Sequence, residues 1–260
     1  MKKLVIFRIS LAIFLTPFSG CKQKEDQTEL IIFAAASLTE TLTELGNRYM
    51  ADHPEMKIIF NFDSSGTLKT QIQEGATCDI FISAGQKQMD QLVDAILSES
   101  RCNLLENKVA LVVPEGNPAG IFSYDDLHYA LSEGSILFAM GNSDVPVGQY
   151  TQKILEYLGL SEEALAEGGY ITYGSNVKEV TTQIREAVVD CGIIYATDAY
   201  SAGLHIVDTA TAEMCGQVIY PAAITKTSQN QSEAEAFMSY LRSADAIEVF
   251  SSVGFTPVSS

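Results

Sequence analysis

The chain has 260 residues, and its 16 Lys and Arg against 33 Asp and Glu give a formal net charge of −17. A balance so acidic argues against nucleic acid as a partner, which demands Lys and Arg patches. The length allows one domain or two small ones.

Lys2, Lys3 and Arg8 precede an apolar run from Ile9 to Phe18, and Ser19-Gly20 stand directly before Cys21. The run is too short for a bilayer span and reads as a secretory signal over residues 1–20. Small residues before a cysteine also resemble the lipobox of bacterial lipoproteins, which implies Cys21 as a lipid-attachment residue. The usual form has Leu three positions before the Cys, where this chain has Phe18; under ordinary cleavage Cys21 is a bystander. The polar residues 21–28 read as a tether between membrane and domain. No later segment is apolar for long enough to cross a bilayer. Loss of residues 1–20 removes three basic side chains, so the exported domain is more acidic still. That charge does not exclude an anionic ligand held in a buried site by neutral dipoles, because distant surface charges are screened.

Leu30-Ile31-Ile32-Phe33 reads as a buried parallel strand, and Ala34-Ala35-Ala36 permit a tight turn. Ser37 stands where a helix should begin, with Leu38, Leu42, Leu45 and Tyr49 as its apolar stripe. A strand feeding a Ser-capped helix aims free N–H groups and the positive end of the helix dipole at one point, a ready anion site. The device recurs: strand Lys57–Phe62, then Asp63-Ser64-Ser65-Gly66-Thr67, then a stripe through Leu68 and Ile72. Two such turns in a parallel sheet lie at the carboxyl edge where α/β proteins bind ligands.

FAAASL, DSSGTLKTQIQEGATCDIFISAGQKQMD, GIIYATDA and a closing GFTPV are long, ordered and collinear. Together they resemble the molybdate-binding proteins of ABC importers, over about residues 29–258. The resemblance implies an α/β fold with two Rossmann-like lobes, whose mixed, mostly parallel sheets are joined by two crossing strands. It implies lobe 1 from 29–108 and 221–260, lobe 2 from 109–220, and a ligand cleft between them. The crossings are expected near Asn107–Pro114 and in Val218–Ile224.

Further along, Gln86–Ile96 reads as a helix with Met89, Leu92, Val93 and Ile96 inward. Ile136–Met140 reads as a strand leading through Pro146 to a helix, on which Gly148 is expected to leave backbone exposed. Gly174-Ser175-Asn176-Val177 opens another helix, with Val177, Val180, Ile184 and Val188 as its stripe. Gly192–Tyr195 reads as a strand before a short Thr-capped helix, and Gln231–Ser252 as two helices folding onto lobe 1. The resemblance implies that Val147 and Val177 each give a backbone N–H to the ligand and Tyr195 its hydroxyl. With Ser37 and Ser65 these five residues form the expected oxyanion site. Asp63 beside the serines is expected to face solvent or cap the helix, since a carboxylate turned inward repels an anion.

A cage of donors with no charged side chain suits an oxyanion without a proton: molybdate, tungstate or sulfate. Protonated phosphate would set an O–H against groups unable to accept it, at a cost of about 1–3 kcal/mol. No metal ligand and no cofactor is expected, the metal of molybdate being held through its oxygens. The implied partners are the permease and ATPase of an importer, and the chain is expected to be monomeric. Cys78, Cys102, Cys191 and Cys215 allow three pairings, pairing within each lobe giving Cys78–Cys102 and Cys191–Cys215, or remain free thiols. Their spacing, with no His near them, argues against zinc. GxSxG, GxxxxGK[ST] and HExxH are absent, and His53, His128 and His205 are far apart. Catalysis, as by a hydrolase on a two-lobe scaffold, therefore ranks below binding.

Overall fold

The computed structural model describes residues 27–258. The expected signal segment, Cys21 and most of the tether lie outside the described residues. The tether ends sooner than expected: Gln27 Nε2 donates to Pro54 O at 2.9 Å, and Thr28 already pairs with Met56 in a sheet.

The strands are β1 Thr28–Ala35, β2 Met56–Asp63, β3 Ile80–Ile82, β4 Cys102–Asn107, β5 Val109–Val113, β6 Phe138–Gly141, β7 Ile171–Gly174, β8 Cys191–Tyr195, β9 His205–Thr209, β10 Val218–Ile224 and β11 Thr256–Pro257. The helices are α1 Thr39–Asp52, α2 Ser65–Gln73, α3 Gln86–Asp90, α4 Tyr124–Ser132, α5 Pro146–Tyr157, α6 Glu162–Glu167, α7 Val177–Arg185, α8 Ala196–Ala202, α9 Ala212–Cys215, α10 Gln231–Tyr240 and α11 Ala244–Ser252.

Two sheets result, ordered β2-β1-β3-β10-β4-β11 and β7-β6-β8-β5-β9. Strands followed by helices at the cleft run parallel: β1 with β2 and β3, β6 with β7 and β8. The strands next to the crossings, β10 and β5, pair antiparallel with their neighbours. β5 is buried at every residue because it lies between β8 and β9 with both faces covered, so its sequence is an unbroken apolar run.

Lobe 1 passes to lobe 2 at Lys108, between β4 and β5. The return crossing differs from the expectation. Val218–Ile224 lies wholly in the first sheet, so the chain crosses back over residues 210–217, through α9, and residues 218–220 belong to lobe 1. A short apolar strand reads alike in either sheet, and only its partners, β3 and β4, decide the matter. α3 also stops at Asp90, leaving Val93 53% exposed, and α7 stops at Arg185, leaving Val188 62% exposed. The C-terminal helices fold onto lobe 1, where the Phe237 ring meets Tyr49 edge-on at 5.1 Å.

Cys78, Cys102, Cys191 and Cys215 are free, so neither within-lobe pairing forms. Burial pushes the Cys78 and Cys191 thiols up to about 12, which holds them protonated and unreactive. A form beginning at Lys22 should therefore show four thiols to a disulfide reagent in denaturant. In the native state the partly buried Cys102 should react first, and a reductant should leave the unfolding temperature unchanged.

Candidate ligand-binding site

The turn after β1 is built differently from a plain capped helix. Ala36–Leu38 form a single 3-10 turn, and α1 starts at Thr39 without a side-chain cap. Ser37 is thereby released from the capping role expected of it. Its Oγ lies 2.9 Å from the Tyr220 hydroxyl. After β2 the cap is Ser64, whose Oγ accepts from Thr67 N at 3.1 Å. Ser65 becomes the first residue of α2, fully buried, and its Oγ accepts from Ala84 N at 2.9 Å.

Lobe 2 supplies the facing wall. Pro146 begins α5 and carries no N–H, so the amide of buried Val147 is the first the helix can offer. Gly148 is buried rather than exposed: a Cβ there would lie 2.3 Å from the carbonyl oxygens of Gly141 and Asn142. Asn176 caps α7 by accepting from Glu179 N, which places Val177 at the first helical position. Tyr195 ends β8, 1% exposed, and its hydroxyl crosses the cleft to donate to Ala84 O at 3.3 Å. Tyr195, not Thr197, is the N-cap residue of α8, and no side chain caps it. Burial, with Tyr220 and Tyr150 nearby, raises the Tyr195 hydroxyl well above its ordinary value, so it stays a donor.

Ser37, Ser65, Val177 and Tyr195 line one tight pocket of about 10 Å³ between the lobes. Val147 is not on its surface, although Val145 and Pro146 are. Three helix N-termini, those of α2, α5 and α7, meet at this point, so their unpaired amides and dipoles favour an anion. No Lys, Arg or His lines the pocket. Asp63, expected to face solvent or to cap the helix, is among the lining residues, and the cap of α2 is its neighbour Ser64. Asp63 Oδ1 accepts from Ser64 N at 2.7 Å and takes a 3.5 Å contact from Asn176 Nδ2 of the other lobe. A larger groove of about 490 Å³ beside the return crossing is lined by long side chains such as Lys87, Gln149 and Lys153 and lacks such convergent donors.

Two features that hold the lobes together escaped the sequence reading. Lys178, next to Val177, meets Glu40 of lobe 1 at 2.8 Å and Asp198 of α8 at 3.0 Å. Burial lowers the Lys178 ammonium, but the two carboxylates outweigh it and leave it raised. Asp198 is fully buried, and burial lifts its carboxyl from 3.8 to about 6 despite Lys178. Neither oxygen of Asp198 receives a well-aligned hydrogen bond, so the 3.0 Å approach of Lys178 is a charge contact. The second feature is Gly66: a Cβ there would lie 2.2 Å from Asp144 O of lobe 2.

Two strand-ended lobes closing on a pocket of helix N-termini define a solute-binding protein rather than an enzyme. The chain matches the family model described as bacterial extracellular solute-binding protein over residues 30–256, and it belongs to that family. It is 35% identical to the putative ABC transporter substrate-binding lipoprotein YvgL of Bacillus subtilis, over 98% of each chain. It is 31% identical to the molybdate-binding protein ModA of Escherichia coli, over 89% of this chain and 90% of that one. The sulfate-binding protein SubI of Mycobacterium tuberculosis shares the fold, with a TM-score of 0.74, 16% identity and 89% and 88% of the two chains covered. Membership of the family carries the binding role, without catalysis, and the extracytoplasmic location.

Gly66→Ala should obstruct lobe closure while sparing the fold, because α2 accepts Ala readily and the clash falls on the other lobe. At about 1–3 kcal/mol of overpacking, ligand affinity should drop roughly 10- to 100-fold with little change in unfolding temperature; equal affinities would show that the lobes need not meet here. Lys178→Met leaves a buried carboxylate unpaired and should cost about 3 kcal/mol in urea unfolding, most of it recovered by Asp198→Asn in the same chain. Asp198 binds its proton more tightly folded than unfolded, so its contribution is full below about pH 4 and is lost as pH rises through about 6. In Asp198→Asn that falling limb of stability should vanish.

Proposed function

We propose that this protein binds molybdate, and tungstate by the same contacts, outside the cytoplasmic membrane and delivers it to the permease and ATPase of an ABC importer. The observation that carries the reading is the polarity of Ser65. A backbone N–H can only donate, so the 2.9 Å bond from Ala84 N occupies Ser65 Oγ as an acceptor and frees its proton for the pocket. Val147 and Val177 can offer only main-chain amides, and the Tyr195 hydroxyl can exchange Ala84 O for a ligand oxygen. A group surrounded by such donors should carry charge and no proton. The identity to ModA supports molybdate within that class. Sulfate is the second reading, supported by the same charge and oxygen count. Resident metal and cofactor play no part in the proposal. Cys21 is proposed to carry a lipid anchor, a reading that the lipoprotein name of the Bacillus relative supports.

Titration calorimetry with molybdate, tungstate, sulfate and phosphate tests this directly. Molybdate and tungstate should bind tightest and phosphate least; preferred binding of sulfate would move the protein to the second reading. Ser37→Ala with Ser65→Ala should lower molybdate affinity at least 100-fold at about 1–3 kcal/mol per lost donor. Unchanged binding would remove both from the site. Cys21→Ser should release the protein from membranes, and retention there would end the anchor proposal.

A further inference from the structure

Behind Ser37 lies a chain of buried polar groups that are not on the pocket surface. The side chains are Asn107, the last residue of β4 at the first crossing, Tyr220 of β10, and Thr197 of α8, and their residues are 4%, 0% and 2% exposed. Lys108 N donates to Asn107 Oδ1 at 2.8 Å. That contact fixes the amide, since a flipped side chain would set its NH2 against the Lys108 N–H. Asn107 Nδ2 therefore faces the Thr197 hydroxyl at 2.9 Å and the Tyr220 hydroxyl at 3.1 Å, donating one proton to each. Tyr220 accepts from Asn107, and Ser37 Oγ is 2.9 Å from its hydroxyl. The ring is held in place by edge contacts with Tyr195 at 5.7 Å and Phe255 at 5.4 Å.

We propose that Asn107 and Tyr220 act as a positioning relay that fixes the Ser37 hydroxyl as a donor toward the pocket, and so sharpen the preference of the site for oxyanions that carry no proton. Asn107 donates to Tyr220, Tyr220 donates to Ser37, and the Ser37 proton is left with the pocket as its outlet. Ser65 receives the same treatment from Ala84 N, by a backbone amide in place of a side-chain relay. A free serine hydroxyl can turn its proton elsewhere and accept the proton of hydrogen phosphate; one already accepting from behind keeps a second lone pair, but offering it to the ligand would strand its own buried proton without an acceptor. Burial, with Asp198 as the nearest carboxylate, raises Tyr220 well above its ordinary value, so the relay keeps its proton at neutral pH.

The inference rests on the oxyanion reading above, and the test separates the two. Molybdate and phosphate affinities are measured by calorimetry at one pH for wild type, Tyr220→Phe, Ser37→Ala and the double variant, with folding checked by unfolding temperature. Tyr220→Phe keeps the ring and should lower molybdate affinity about tenfold while phosphate stays level or improves, so the ratio narrows at least tenfold. In the Ser37→Ala background the same change should have no further effect on the ratio. Asn107→Asp is the second variant. Its carboxylate can only accept from Tyr220, which turns the relay round and presents Ser37 lone pairs to the ligand. The added charge repels both dianions alike, so the ratio should again fall tenfold or more. An unchanged ratio in Tyr220→Phe, or an equal loss with and without Ser37, overturns the relay. A wild type that binds none of the four anions overturns the functional reading instead.

Discussion

An anion held away from water needs polar neighbours that point protons at it. The pocket between the lobes is built largely from helix N-termini, which do so. Charged partners are not required, because helix N-termini bring unpaired amides to a point and their dipoles add a positive field that needs no counterion. The chain meets the demand by ending parallel strands in small residues, starting a helix at once, and facing two such lobes toward each other. Ser65 shows the arrangement from behind: its oxygen already accepts from Ala84 N.

Assembly of the pocket from two lobes makes closure part of binding. Ser37 and Ser65 follow strands of one sheet, and Val177 and Tyr195 those of the other, so neither lobe encloses the pocket alone. Gly66 allows the lobes to approach at van der Waals distance, and Lys178 spans them between Glu40 and Asp198. The chain crosses between the lobes where β4 passes to β5 and where residues 210–217 return, two segments kept adjacent by the pairing of Val218 with Asn107. Asn107 therefore belongs both to the first crossing and to the polar network behind Ser37. The lobe-closing charges sit beside the ligand pocket rather than in it, which leaves the pocket itself neutral apart from Asp63.

Much of this was legible in one dimension. The stripes Leu38, Leu42, Leu45, Tyr49 and Val177, Val180, Ile184 are buried as their spacing required, because an amphipathic helix can dock in only one way. Helix ends were less secure. Val93 and Val188 continue the apolar period beyond the point where the backbone leaves the helix, and nothing local marks the stop. The role of Ser37 was misplaced for a related reason: the sequence predicts a serine at the mouth of a helix, but the 3-10 turn at Ala36–Leu38 moves the helix start beyond it.

Local patterns by themselves determined that strand, turn and helix alternate, that small residues and serines stand at the strand ends, and that the chain carries no recognisable catalytic motif, since each of these depends on neighbours a few residues apart. Tertiary structure alone decided which sheet receives Val218–Ile224, that Asp63 meets Asn176 of the other lobe, and that Lys178 joins Glu40 to Asp198. It also decided that Tyr220, 183 positions away in the chain, stands behind Ser37. Such pairings leave no periodic trace, because a hydrogen bond or ion pair between distant segments depends on how the lobes pack and not on the spacing of residues along either one.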